Sequence, residues 1–306
     1  MLHFPVQPMK GVSGTLPRDD GTWAFELKWD GYRTIAFFDG GKVRLQSTSL
    51  RDVTARYPEL ASLAQGFRGD RGIVDGEVVV LTDEGVPRFE LLQRHQDPAA
   101  FVAFDLLSVG GEDLVTRPYE ERRARLLDTF EPGPGRIVPR HQIGDGAALL
   151  QVTEDRDLEG IMAKRLGSRY VPGKRSPSWR KVKNRPQQEV VIGGFTAGAG
   201  NRSGTFGALL VGYHQGGHLR FGGGVGTGFD QALLEQLGAQ LRDLAQPVCP
   251  FDPPPPSAYT REATWVRPVL VAEIAFAEWT SEGLVRQASF LGLRDDKDPP
   301  EVIREP

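Results

Sequence analysis

The stretch from Trp23 to Phe38 constrains the fold more than any other. Its runs Trp23–Leu27 and Thr34–Phe38 are apolar or alternating, as half-buried strands are. Between them, Glu26-Leu27-Lys28-Trp29-Asp30-Gly31-Tyr32-Arg33 makes a polar corner, so the chain is expected to turn here and join two strands. Such a corner can hold side chains in a fixed, partly buried geometry. It offers a lysine with a carboxylate on each side and an arginine five residues on. That is one way to place a nucleophilic amine beside groups that bind phosphate and metal. An ordinary charged surface hairpin also fits the octapeptide.

Strands then follow one another without intervening helices, which implies an α+β class built on antiparallel sheets. After an irregular segment over residues 1–22, Val43–Gln46 follows a Gly40-Gly41 turn. Asp52 to Phe67 is expected as a capped helix with Pro58 near its first turn. Gly72 to Leu81 is a β-branched strand interrupted by Asp75, Gly76 and Glu77. Polar groups there are costly unless paired, which marks them as functional candidates. Phe101–Leu107 is a further strand, and Tyr119–Phe130 and Ala147–Arg156 are helices. Near Gln187 the composition shifts to glycine and short strands: Glu189–Phe195, Ala208–Tyr213, His218–Gly222 and Val269–Trp279, with one helix at Gln231–Leu244. This pattern suits a small closed barrel such as an OB-fold. The 306 residues are therefore divided into domains over 1–187 and 188–306.

The net charge of −3 gives no overall pull toward nucleic acid, but its distribution does. From Gly160 to Gln188 there are nine basic residues and no acidic one. Tyr170 and Trp179 interleave the run, and Pro172, Gly173 and Pro177 break it. A folded ribbon facing a phosphate-rich partner is favoured over a solvated face. The single cysteine, Cys249, excludes an internal disulfide and a cysteine-based zinc cluster. No secretory leader opens the chain and no apolar run could span a bilayer, so the expected place is cytoplasmic. His214-x-x-x-His218 has helical metal spacing, but Gln215-Gly216-Gly217 makes it a turn, and zinc is not expected. Gly222 to Gly228 lacks the strand, helix and acidic residue of a dinucleotide loop, and barrel turns account for it. Pro253 to Pro256 reads as a stiff loop.

A free lysine is protonated at neutral pH. Desolvation and nearby cations such as Arg33, Lys181 and Lys183 would free the Lys28 amine. Facing an α-phosphate, a neutral amine could form a phosphoramidate, provided that metal and cations stabilise the departing pyrophosphate. Asp30, Glu77 and Glu159 are the carboxylates available for hard divalent ions. Each taken singly reads as a surface charge or a strand-end hydrogen-bonding group.

Lys28-x-Asp30-Gly31-x-Arg33 resembles the nucleotidyl-lysine motif of the covalent nucleotidyltransferases: ATP-dependent DNA ligases, RNA ligases and mRNA-capping enzymes. Asp75-Gly76-Glu77, Phe104-Asp105, Glu159-Gly160-x-Met162-x-Lys164 and Trp179-x-Lys181-x-Lys183 look like the later motifs of that superfamily, in its order. Phe290-Leu291-Gly292-Leu293-Arg294-Asp295-Asp296-Lys297 is similar to the ligases' last motif, carried on the OB domain. The resemblance spans nearly the whole chain. It is closest to the ligase domain of bacterial end-joining DNA ligases, through the Trp29-Asp30-Gly31-Tyr32-Arg33 and Ala277-Glu278-Trp279-Thr280 phrases.

The resemblance implies an adenylation domain followed by an OB-fold, with Lys28 taking AMP from ATP. Glu26 would accept the adenine amino group, Phe104 would stack on the base, and Met162 would floor its other face. Glu77 would bind ribose hydroxyls and Arg33 ribose or phosphate. Lys181 and Lys183 alternate along a strand and would both reach the α-phosphate. Glu159, then Asp30, with Glu77, would hold Mg²⁺ or Mn²⁺. Arg294, Asp296 and Lys297 would orient pyrophosphate. The implied substrate is nicked double-stranded DNA bound by a monomer near the nucleoid. Ku and separate polymerase or nuclease repair proteins are implied partners. There is one departure: Thr48 stands where the family commonly has an arginine that holds the nick phosphate. Thr48 cannot make a charge-assisted contact. Sealing is expected to be affected more than lysine adenylation. Two rival readings stay open: an RNA ligase or capping-type transferase, which the Arg294-x-Asp296-Lys297 phrase argues against, and a nick-binding module without sealing activity, which only Thr48 supports.

Overall fold

The computed structural model describes residues 2–94, 97–156 and 158–305. Contacts divide the chain into two compact units, Met1–Asn184 and Arg185–Glu305. In the first, the longer strands are β1 (Lys10–Ser13), β2 (Trp23–Leu27), β3 (Tyr32–Asp39), β4 (Lys42–Ser47), β5 (Arg71–Val79), β6 (Ala100–Val109), β7 (Gly160–Arg165) and β8 (Arg175–Lys183). The longer helices are α1 (Tyr119–Thr129) and α2 (Gly146–Asp155).

These strands form two sheets. A five-stranded sheet runs β1-β8-β7-β2 and ends on Gln142–Ile143; β1 is parallel to β8 and the other pairs are antiparallel. A six-stranded sheet runs β4-β3-β5-β6 and ends on Glu112–Asp113, with Arg136–Ile137 added in parallel beside β6. Alternation along β7 and its neighbours sorts the side chains of the first sheet. Phe25, Ile161, Ala163 and Val182 pack under Leu149 and Leu150 of α2. Between the sheets, Ile35, Ile73, Phe104 and Leu107 meet Tyr170 and Trp179, with Met162 packed against them. The far face of the second sheet buries Phe38, Val74, Phe101 and Leu106 with Leu126 and Phe130 of the α1 segment. Each such side chain contributes about 1.5–3 kcal/mol on burial.

The corner at residues 28–31 is not a hairpin. β2 belongs to the first sheet and β3 to the second, so the link crosses from one to the other. Each end is tied to a different sheet. Lys28 N donates to Gly160 O at 2.9 Å, whereas a Cβ on Gly31 would run into the carbonyl oxygen of Val78. Only glycine lets the link come so close to β5.

The helix expected over Asp52–Phe67 is instead two 3₁₀ turns, Thr54–Arg56 and Pro58–Ser62, and one α turn, Leu63–Gly66. Pro58 disfavours a helical Tyr57, whose φ is −130° and ψ 67°. Asp52 spends its carboxylate on the Thr54 amide and hydroxyl at 3.0 and 2.6 Å, a local turn that competes with a helix.

The second unit contains β9 (Gln187–Ala197), β10 (Phe206–Gln215), β11 (His218–Val225), α3 (Gln231–Asp243), β12 (Ala263–Ala275) and β13 (Ser289–Leu293). Its sheet runs β11-β10-β9-β12 and ends on Ala245–Gln246, with β13 also paired to β12. Leu234, Leu237 and Leu241 of α3 fill its core. The strand expected at Val269–Trp279 begins earlier and stops at Ala275, and Glu278–Trp279 pairs separately with Val285–Arg286. The strand expected at His218–Gly222 runs on through Val225, so Gly223 and Gly224 are strand where turns were expected. Among the described residues no helix is long and apolar enough to cross a membrane.

Candidate active site

Three charged groups meet at the crossing link. Lys28 Nζ touches Glu159 Oε2, and Lys183 Nζ lies 3.1 Å from Glu159 Oε1. Glu159 directly precedes β7, and Gly160 and Lys183 face each other across β7 and β8. The Glu159 side chain is 3% exposed, whereas those of Lys28 and Lys183 reach 18% and 12%. Two ammonium groups thus share one buried carboxylate.

Glu26 and Lys164 form a second pair between the sheets, 2% and 1% exposed. Glu26 Oε2 is buried and has no hydrogen-bond partner among the described residues. Lys164 Nζ sits 4.2 Å from the Phe104 ring centroid and 4.4 Å from that of Trp179. Burial pushes the Lys164 pKa below its ordinary value, against the pull of Glu26. The aromatic faces offset part of that cost, by about 2 kcal/mol for a desolvated cation.

Arg33 forms the third group. Its Nε and Nη2 each donate to Asp75 at 2.6 Å, and Tyr170 donates its hydroxyl to the same carboxylate at 2.7 Å. Its guanidinium lies 4.6 Å from the Phe104 ring centroid. Burial opposes the charge on Arg33, but Asp75 outweighs it and the pKa rises well above the ordinary range. The polar interruption of β5 is thereby explained: Asp75 is the buried counter-ion of Arg33. In the same way, Asp105 is the counter-ion of Arg122 on α1, at 2.8 Å through two hydrogen bonds.

The expected site residues therefore fall into several places. Lys28, Glu159 and Lys183 touch directly. Glu26, Phe104 and Met162 lie on the inter-sheet face, with Met162 opposite both Glu26 and Lys181 in register. Glu77 stands opposite Arg33 on β5, and Asp30 is half-buried in the link. Phe104 is only 6% exposed, its ring covered by Arg33, Lys164 and Trp179.

Arg294 and Lys297 belong to the second unit, in a cluster of their own. Arg294 binds Asp296 through Nε and Nη2 at 2.8 and 2.9 Å and Glu273 through Nη1 at 2.6 Å. Lys297 Nζ lies 2.7 Å from Glu189 Oε1.

Lys164 and Trp179 stand in the candidate motifs and Asp75 among the polar candidates of β5, but none of them, nor Tyr170, was assigned a role at the site. Alternation along β7, which puts Met162 and Lys164 on one face, was the signal that could have marked Lys164.

No group of three or more His, Cys, Asp or Glu side chains that could hold a metal exists among the described residues. Glu159 Oε1 is buried, and Lys183 does not meet it in hydrogen-bonding alignment. One carboxylate suits a hard ion that takes its other oxygens from phosphates and water. The unpartnered oxygen of Glu26 suits the amino group of a base.

Residues 5–183 match the family described as ATP dependent DNA ligase domain, and 202–297 the ATP dependent DNA ligase C terminal region. The multifunctional non-homologous end joining DNA repair protein LigD of Mycobacterium tuberculosis is 46% identical over 303 residues. The match covers 98% of this chain and 40% of that protein. LigD of Pseudomonas aeruginosa is 40% identical, with 93% of this chain and 35% of that protein covered. The chain thus spans about two fifths of the length of these relatives. A solved structure of mycobacterial DNA ligase D complexed with ATP and MES superposes with a TM-score of 0.71 at 41% identity, covering all of both chains. A structure of the ligase domain from M. tuberculosis LigD gives 0.55 at 42%. The two-sheet unit is thus a ligase adenylation domain and the second unit an OB-fold, and the chain belongs to the ATP-dependent DNA ligase family.

Proposed function

We propose that this chain seals nicks in duplex DNA, joining a 5′-phosphate to the adjacent 3′-hydroxyl through lysine-AMP and adenylated DNA. One observation carries the reading furthest: Lys28 and Lys183 share the buried carboxylate of Glu159 in a chain of this family. In the first step Lys28 Nζ attacks the α-phosphorus of ATP and the bond to the β-phosphate oxygen breaks. Glu159, already in contact with Nζ, is the acceptor at hand for the amine's proton. Lys183, with Lys181 on the same strand, meets the charge that develops on the α-phosphate oxygens. Mg²⁺ or Mn²⁺, held by Glu159 with phosphate and water oxygens, would neutralise the departing pyrophosphate; Asp30 and Glu77 do not gather with Glu159 into a three-carboxylate site among the described residues.

Glu26 selects adenine. Its unpartnered Oε2 accepts from the exocyclic amino group, whereas guanine would present a carbonyl there. Met162 is an apolar surface for the base, Phe104 becomes one only where Arg33 and Lys164 draw off its ring, and Arg33 and Glu77 are the candidates for the ribose. Arg294 and Lys297 bind pyrophosphate. AMP then passes to the 5′-phosphate, and the 3′-hydroxyl displaces it. The names of the relatives support a place in end joining, where Ku and separate polymerase or nuclease proteins would be the partners. The place of work would be the nucleoid.

α-Labelled ATP with Mg²⁺ or Mn²⁺ should label the wild type and not Lys28→Ala. Labelling that survives the substitution rules the mechanism out. Offering nicked DNA, nicked RNA–DNA hybrid and GTP in the same assay should yield joined product from ATP and nicked DNA. Thr48→Arg should speed sealing more than it changes labelling.

A further inference from the structure

In the second unit, three carboxylates surround two cations. Glu189 on β9 and Glu273 on β12 are direct cross-strand partners, and like charges so placed repel. Arg294, immediately after β13, lies between them: Nη1 is 2.6 Å from Glu273 and 3.8 Å from Glu189. Asp296 grips the other side of the same guanidinium through both oxygens. Lys297 comes next on the turn closed by its own amide to Arg294 O, and reaches Glu189 at 2.7 Å.

The three carboxylates differ in how firmly they are held. The Glu273 and Asp296 side chains are 9% and 4% exposed and bind Arg294 by hydrogen bonds. The Glu189 side chain is 30% exposed, and one of its oxygens stands 2.7 Å from Lys297 and 3.8 Å from Arg294. We infer that Glu189 occupies the place on Lys297 and Arg294 that a pyrophosphate oxygen takes, while Glu273 and Asp296 are permanent struts that aim Arg294. Glu189 is thus a positioning residue whose carboxylate gives way to the leaving group and afterwards helps to expel it. An anion fits because Glu189 is itself the anion now held there. Burial works against the charge on Lys297, and Glu189 outweighs it and raises the pKa, a support that an incoming anion must replace when Glu189 gives way.

The inference rests on the reading of Arg294 and Lys297 as pyrophosphate contacts, and the reverse reaction tests both. Pyrophosphate attacks the phosphorus of lysine-AMP, the Nζ–P bond breaks, ATP forms, and the amine recovers a proton. With the full chain adenylated beforehand, ATP formation is measured against pyrophosphate concentration. Glu189→Gln should lower the half-saturating pyrophosphate about fivefold, as loss of one competing ion pair would. Glu189→Asp, which withdraws the charge by one methylene, should lower it by less. Glu273→Gln should raise it, because Arg294 loses a strut. A purely structural Glu189 would lower the melting temperature and the maximal rate and leave the half-saturating value where it was; that result, or a rise, overturns the inference. Lys297→Met separates the two ideas. A raised value with no response to Glu189→Gln sinks the inference alone. A Lys297→Met enzyme that saturates like the wild type sinks the pyrophosphate reading itself.

Discussion

Glu26 and Lys164 show what a charge needs in order to stand between two sheets. Each is almost wholly buried, so each depends on the other. Lys164→Met should cost about 3–5 kcal/mol in urea unfolding, because it strands a buried carboxylate. Glu26→Gln with Lys164→Met should recover much of that loss, since the replacement pair carries no charge. His141, half-buried, accepts from Arg123 Nε through Nδ1 at 3.4 Å. Burial first, and then Arg123, lowers its pKa below 6.5. The folded chain therefore holds this imidazole neutral while the unfolded chain protonates it. Its contribution is present above pH 6.5 and is lost as pH falls through that value toward the lowered folded pKa. His141→Gln should flatten the fall in melting temperature between pH 7.5 and 5.5, at about 2–4 °C for each kcal/mol removed.

At the scale of elements, the decisive piece is the link at residues 28–31. It leaves one sheet and enters the other, and the close approach of Gly31 to Val78 fixes where it crosses. Gly31→Ala should cost at least about 2 kcal/mol in the same unfolding assay, since backbone must move to admit the methyl. It should also weaken AMP labelling, because Lys28 and Glu159 meet on either side of that crossing. The strand period was legible in sequence, and so was the alternation of Lys181 and Lys183. The sheet to which each strand belongs was not. Trp23–Leu27 and Thr34–Phe38 look like hairpin partners because local pattern reports burial, and both are buried, but β2 pairs with β7 and β3 with β4 and β5. The missed turns at 52–67 have a local cause, the competition of Asp52 and Pro58 with helical hydrogen bonds.

For the whole molecule, the basic run at 160–188 divides by the pleat. Lys164 and Lys183 turn inward to Glu26 and Glu159, and Arg180 lies 5.0 Å from the Trp23 ring centroid. Fewer of its charges therefore face a partner than the sequence count suggests. Nick affinity should still fall linearly with the logarithm of salt concentration, with a slope of about 0.9 per phosphate contact, while AMP labelling changes far less. Filter binding on nicked duplex at several salt concentrations reads the slope directly, and a flat response would remove the phosphate-contact reading. The relatives extend well beyond the span matched here, so partners acting through their further segments are open to test by adding those proteins to the sealing assay.

The sequence by itself determined the order of the candidate motifs and the two classes of unit, because motif spacing, strand period and composition are local properties. Tertiary structure alone decided which charges are spent on one another. Asp75 neutralises Arg33, Glu273 and Asp296 grip Arg294, and Lys164 stands against Glu26. A buried charge must find its counter-ion, and apart from Asp296, two residues from Arg294, the counter-ion comes from a strand the sheets bring alongside, at separations of 21 to 138 residues for these pairs. Lys28 follows the same rule: the octapeptide supplied the lysine, and the packing of two sheets supplied Glu159.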